Sequence, residues 1–237
     1  VKMNATAELD WIGTPRLFDE VVKRVQAAQA QGMDVGLDFH GRVHRPMAKQ
    51  LAKVLEPLGL LFIEEPLLSE NPEGLAQIAQ MTATPIALGE RLYSRWDFKP
   101  FFERGAVDII QPDLSHAGGI SECRRIAAMA EAYDIAVAPH CPLGPLALAS
   151  CLQLAGCTPN VAVQEMSLGI HYNVGHDLLN FIADPEVLTP QDGYLAIPQK
   201  PGLGVTIDEA AVREAAKEGH RWRNPVWRQH DGSFAEW

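Results

Sequence analysis

Residues 35–43 read "VGLDFHGRV". Val35 to Leu37 form a short apolar run of the kind that makes a strand covered on both faces. The run breaks off at Asp38, and His40 follows two residues later. Period 2 in a strand would send both side chains to one side. Leaving ionisable groups at the end of a buried strand is costly unless something compensates them.

The pattern recurs along the chain. "MDVGLDF", "GLLFIE", "PIALGE", "VDIIQPD", "IAVAPH" and "NVAVQE" all read as buried strands, and "VKMN" at the start reads as the end of another. Helical segments lie between them. Thr14–Pro15, Pro46 and Asn71–Pro72 mark helix starts, and a further helix is predicted over 119–133. Alternation of strand and helix implies parallel strands. The six strands finish on Asp38, Glu64, Glu90, Asp113, His140 and Glu165, with gaps of 26, 26, 23, 27 and 25 residues. In a parallel (β/α) barrel the C-terminal strand ends converge on one mouth, where active sites form. The six groups are therefore expected to share a site.

Asp38, Glu64 and Glu90 come from three successive strands with no neutralising base on them. Three carboxylates call for a hard cation, and few oxygen ligands with open positions suit Mg²⁺. Zn²⁺ would be expected to take His or Cys. Glu65 competes with Glu64, but the 26-residue step favours Glu64 and leaves Glu65 to anchor the loop or a neighbouring strand. Asp113 and His140 stand on the next two strands, and a carboxylate beside an imidazole fixes its tautomer and makes it a better base. Glu165, if protonated, can donate a hydrogen bond to a developing oxyanion.

Charge narrows the partners. With 20 Lys+Arg against 30 Asp+Glu the net charge is −10, which argues against a nucleic acid or an anionic membrane. A small anionic substrate stays open, because a bound metal sets the local field. The four cysteines include no C-x-x-C pair, so a reduced, cytoplasmic protein is expected. No apolar run approaches the roughly 18 residues of a membrane span. The chain opens on Val1 within a strand and without a signal peptide, which suggests missing N-terminal sequence. Beyond about residue 166 the composition turns to Pro and Gly, with a short helix expected near 208–218 and three of the five Trp in the last stretch. The expected division is a partial barrel carrying the site over 1–168, and a C-terminal extension packed on it over 169–237.

"LDFHGR", "FIEEP", "GER", "IIQPDLSHAGGI", "APHCPLGP", "QEMSLG" and "KPGLGVTID" resemble the mandelate racemase subgroup of the enolase superfamily. The resemblance runs from "VKMN" to the final "WRNPVWRQHDGSFAEW". It implies a modified (β/α)7β TIM-like barrel holding one Mg²⁺ on Asp38, Glu64 and Glu90. It implies that His140, paired with Asp113, removes the proton beside a substrate carboxylate, a base-and-Mg²⁺ arrangement that is a known example for this superfamily. Glu165 is then the enediolate stabiliser, and His40 the general acid that protonates a departing 3-hydroxyl. The implied activity is that of an acid-sugar dehydratase, with galactonate the preferred substrate and gluconate or mannonate types the near alternatives. Substrate contacts are implied for Asn4, His40, Glu90, His140 and Glu165. Racemase-like relatives carry a Lys base where Asn4 stands, and an amide is no base, which fits elimination rather than racemisation. Lys2 faces the same interior without an assigned role. Family members also have an N-terminal capping domain and a first barrel strand, neither of which is in these 237 residues. The chain is therefore expected to be a fragment with little turnover alone, and a homo-oligomer when full length.

Other classes fit less well. A metal hydrolase on such a barrel usually clusters His as H-x-H, and His40 and His44 have the wrong spacing. A glycosidase needs only two facing carboxylates and leaves the triad and the Asp–His pair unexplained. An inactive truncated barrel is the non-catalytic alternative.

Overall fold

The computed structural model describes residues 1–4, 9–167, 178–218, 226, 228 and 231–234. Six strands make one sheet: β1 (Lys2–Asn4), β2 (Gly36–Asp38), β3 (Phe62–Glu64), β4 (Ile86–Leu88), β5 (Ile109–Ile110) and β6 (Ala136–Val137). Every pairing is parallel and the spatial order is the chain order. A doubly wound sheet reverses its strand order at a switch point. This one does not, so it winds in one sense, as a barrel wall does.

Helices α1 (Asp19–Gln29), α2 (Arg45–Leu55), α3 (Pro72–Ala79), α4 (Arg95–Glu103), α5 (Gly119–Glu131) and α6 (Pro145–Ala155) make the crossovers. From α2 to α6 each packs against the next. Their punctuation follows the sequence. Pro15 opens a short 3₁₀ turn that leads into α1, Pro46 lies in the first turn of α2, and Asn71 caps α3 by accepting the Gly74 N–H at 2.9 Å.

In-register residues of a parallel ladder share a face. Leu37, Ile63, Ile86, Leu88, Ile110 and Val137 form the outward rows and are almost wholly buried. With Met47, Leu51, Ile78, Phe98 and Ile126 from the helices they make the main core. Each such side chain contributes roughly 1.5–3 kcal/mol on burial. The inner face carries Lys2, Gly36 and Phe62 in one row, and Asn4, Asp38 and Glu64 in the next. Gly36 leaves room for the Phe62 ring, which a Cβ there would meet at 2.4 Å. That ring floors the space beneath the acidic row.

One expected strand is shorter than its sequence suggests. "NVAVQE" contributes a single parallel bridge, Val137 to Val161. Val137 N–H bonds to Asn160 O and Ala162 N–H to Val137 O, both at 2.8 Å. The pairing goes no further, and Val163 is exposed. The helix expected over 119–133 ends at Glu131, and that expected near 208–218 is α7 (Glu209–Ala215), capped by Asp208.

The described part of the C-terminal region lies against α6. The Gln153 side-chain amide donates to Pro198 O at 3.0 Å and Leu203 O at 3.3 Å, and Leu188 is fully buried in the core. Asp184 accepts from Lys200 Nζ at 2.6 Å and Thr206 N–H at 2.9 Å. The expected boundary at 168–169 and most of the aromatic tail lie outside the described residues. Among the described residues no helix is long and apolar enough to cross a membrane.

Candidate active site

The acidic row is set by strand register. Asn4 pairs with Asp38, and Asp38 with Glu64. Asp38 and Glu64 are 2% and 0% exposed, whereas Asn4 is exposed at the open end of the row. Lys2, two residues before Asn4, shares that face. Its Nζ lies 3.5 Å from Asp38 Oδ2, 3.1 Å from Glu64 Oε1 and 2.7 Å from Glu165 Oε1. Burial alone would lower the Lys2 pKa, but the Glu64, Glu165 and Asp38 carboxylates outweigh it and raise the value. One ammonium does not balance the cluster. Burial, reinforced by the Asp38 charge, pushes Glu64 up to about 8, against the opposing effects of Lys2 and Gln111.

Asp38 and His40 do meet, though not through the pleat. Strand β2 stops at Asp38, and His40 has φ 49°, in the left-handed region. The His40 N–H donates to Asp38 Oδ1 at 3.0 Å, and His40 Nε2 is 3.3 Å from Asp38 Oδ2. A tight turn closed by the aspartate replaces the expected strand alternation. Burial lowers the His40 pKa, with the nearby acids opposing. Glu65, also left-handed at φ 41°, is buried and turned away from this row. Its Oε1 accepts from Ser69 Oγ at 3.1 Å, and its Oε2 is 3.2 Å from Arg91 Nε. It thus ties the loop after β3 to the loop after β4, the anchoring role expected of it. Burial and then the Glu90 charge push Glu65 up to about 7.

Glu90, Asp113 and His140 lie two or three residues past β4, β5 and β6. Alternation from Ile86 and Leu88 would turn Glu90 outward. Gly89 resets it with φ +151°, and a Cβ there would stand 2.7–2.9 Å from the Gln111 backbone. Only glycine permits that approach. Glu90 Oε2 then lies 3.1 Å from His140 Nε2, and His140 Nδ1 is 2.9 Å from Asp113 Oδ2. Asp113 Oδ1 is held by the Ser115 N–H at 2.7 Å. Burial opposes charge on all three groups and is outweighed. Hydrogen bonds to Asp113 and Glu90 push His140 up to about 10, and His140 holds Glu90 down to about 2 and lowers Asp113 as well. Glu165 completes the ring, its Oε2 accepting the Cys141 N–H at 2.7 Å.

Asp38, His40 and Glu90 offer ligand atoms that all lie within 4.8 Å of one another. Glu64 stands beside Asp38 in register, its oxygens engaged by Lys2 and by Gln111 Nε2 at 2.7 Å. Lys2, Gln111 and Arg91 are the site residues that sequence reasoning left without a role. For Lys2 the parity with Asn4 was readable, and for Gln111 the two-residue step before Asp113, but neither reveals the side-chain partner.

Residues 1–211 match the family model described as enolase C-terminal domain-like. The whole chain is 55% identical to a D-galactonate dehydratase of Ralstonia pickettii (strain 12J) and 51% identical to one of Variovorax paradoxus (strain S110), and it spans 63% of the length of each. Among solved structures it resembles an enolase from Agrobacterium radiobacter with bound Na and L-malate. There the TM-score is 0.84 at 33% identity, over 96% of this chain and 60% of that one. A mandelate racemase/muconate lactonizing enzyme-like protein from Rubrobacter xylanophilus gives a TM-score of 0.80 at 32% identity, over 90% of this chain and 56% of that one.

Proposed function

The chain belongs to the enolase C-terminal domain-like family, and from that premise we propose that it is the catalytic portion of a Mg²⁺-dependent acid-sugar dehydratase acting on D-galactonate. The observation that carries the proposal is the meeting of Asp38 and Glu90, whose ligand atoms lie within 4.8 Å, and of Glu90 with the Asp113–His140 pair, at the end of a parallel sheet where Glu64 stands beside Asp38 in register. The names of the 51–55% identical relatives support the substrate.

The donor set fits Mg²⁺. Asp38, Glu64 and Glu90 are carboxylates, the ligands a hard cation prefers, and Asp38 and Glu64 are buried side by side with Lys2 the only cation within 4 Å of either among the described ion pairs other than His40. Asp38, Glu64 and Glu90 would hold the ion. When bound, Mg²⁺ supplies electrostatic stabilisation for the carboxylate and the enediolate derived from it. The chain's own groups do the rest. His140 takes the proton from the carbon beside the substrate carboxylate. Asp113 on Nδ1 fixes its tautomer, so Nε2 is the atom that accepts. With Glu90 committed to a cation, Asp113 is the carboxylate that remains on His140. Glu165 hydrogen-bonds the developing enediolate. His40 gives its proton to the 3-hydroxyl, which leaves as water, and the enol ketonises to 2-keto-3-deoxy-galactonate. Asn4, exposed at the mouth, binds a substrate hydroxyl. Residues 1–168 carry this chemistry and 169–237 form the extension packed on it, a division that the Gln153 contacts support.

The chain spans less than two thirds of these relatives. The test therefore exchanges the matching segment of the Ralstonia pickettii relative for residues 1–237. The chimera is assayed with Mg²⁺ against a panel of aldonates for 2-keto product. Product from galactonate is expected. Product from another epimer alone overturns the substrate, and product from none overturns the reading. His140→Asn and His40→Asn are expected to abolish turnover while cation binding remains. Near-normal rates in either variant would show that the roles are misassigned.

A further inference from the structure

Gln111 is 4% exposed, directly beside the acidic row, and takes no part in the proton transfers of His140 and His40. Its Nε2 donates to Glu64 Oε2 at 2.7 Å. That bond runs from the segment following β5 to the end of β3, across the intervening β4. Adjacent strands are about 4.8 Å apart, so a contact that skips a strand spans roughly 10 Å. Long side chains make it only where the middle strand presents no bulk. Strand β4 offers Ala87 in register with Glu64 and then Gly89, whose missing side chain lets the Gln111 backbone come close. The bond is thus built by three strands rather than by chance proximity.

The other end of the amide is equally informative. Gln111 Oε1 is buried and has no hydrogen-bond partner. An unmet buried acceptor is costly. It is tolerated where a ligand brings the donor.

We propose that Gln111 is a positioning residue of the cation site: its N–H aims the Glu64 carboxylate, and its carbonyl oxygen receives an O–H brought in with the bound ligand, from a water or a substrate hydroxyl. With Oε2 held by Gln111, the Glu64 carboxylate is fixed in the orientation that also presents Oε1, the oxygen Lys2 meets at 3.1 Å. The inference rests on Glu64 as a cation ligand and goes beyond it by naming what orients that ligand.

The experiment is a double-mutant cycle read by Mn²⁺ binding, with calorimetry and spin-relaxation titration on the chain itself. Gln111→Met keeps length and volume and removes both polar ends. It is expected to weaken Mn²⁺ binding about 10–100-fold, the usual effect of losing an outer partner of a metal ligand. In a Glu64→Gln background the same change is expected to cost less than about 3-fold, because the ligand it aims is gone. If Glu64→Gln leaves Mn²⁺ affinity intact, Glu64 is no ligand, and the underlying reading and this inference both fall. If Glu64→Gln weakens binding and Gln111→Met does not, this inference alone falls. Equal losses in both backgrounds also overturn it, since the effect then does not pass through Glu64. Should Gln111→Met fail to fold, the wild-type chain labelled with ¹⁵N-glutamine gives the answer. The Gln111 side-chain amide resonances must shift on addition of Mg²⁺, and unmoved resonances overturn the proposal.

Discussion

Replacing Gly89 with alanine tests whether the mouth is built by one backbone position. Two costs are expected. The first is conformational: a φ of +151° lies where L-residues rarely go, at about 1–2 kcal/mol. The second is steric. The new Cβ would stand 2.7 Å from Gln111 N, 2.8 Å from its carbonyl carbon and 2.9 Å from its oxygen. Backbone cannot swing aside as a side chain can, and forced overpacking costs typically 1–3 kcal/mol. Together they come to roughly 2–5 kcal/mol, or about 4–20 °C in Tm for a chain of this size. Gly105→Ala is the control: its φ is +57° and nothing lies within 4 Å of the added Cβ, so only conformational strain of about 1 kcal/mol is expected. Urea denaturation of the two variants side by side isolates the steric part. Because Gly89 also turns Glu90 inward and seats Gln111, Gly89→Ala is expected to weaken Mn²⁺ binding as well, while Gly105→Ala leaves it alone. A Gly89→Ala variant no less stable than Gly105→Ala would refute the close approach and the role given to Gly89.

His140 is held up to about 10 in the folded chain, against roughly 6.5 unfolded; its contribution to stability is complete below about pH 6.5 and disappears as pH rises through 10. Urea titrations of the metal-free chain from pH 6 to 10 are expected to show that decline, and Asp113→Asn to flatten it. Glu90 behaves oppositely: its folded pKa of about 2 gives stability present above about pH 4.5 and lost as pH falls. Asn71→Ala removes the cap on Gly74 N–H and is expected to cost about 1 kcal/mol by urea denaturation. Asp184→Ala frees Lys200 and the Thr206 N–H; hydrogen exchange at Thr206 is expected to quicken, with α1 to α5 unaffected.

Periodicity exposed the sheet because each buried strand needs apolar residues on both faces. Leu37, Ile63 and Ile110 announce themselves by composition alone. The converging groups were legible for a related reason, since parallel strands of similar spacing bring Asp38, Glu64 and His140 to one end. What stayed hidden depends on backbone torsion and on pairs distant in sequence. His40 reaches Asp38 through a left-handed turn that no alternation rule contains. Glu90 faces inward because Gly89 breaks the alternation, and in the sequence that glycine is only one residue of a short motif. Lys2 lies 62 positions from Glu64 and Gln111 lies 47. Such pairs follow from the curvature of the folded sheet, which a single strand's composition does not encode. The "NVAVQE" run shows the converse: it has strand composition but pairs at only one residue, Val161 with Val137.

Asn4, Asp38 and Glu64 share a row only because β1, β2 and β3 pair in one register. A slip of one residue in β2 would turn Asp38 toward the helices and Leu37 toward the mouth. Any ligand that requires both Asp38 and Glu64 therefore binds the correctly threaded sheet and no other. At a hundred times its dissociation constant it would favour that arrangement by about 2.7 kcal/mol. An ion recruited for chemistry would then also act as a proofreader of folding, penalising mis-paired strands long before any substrate arrives.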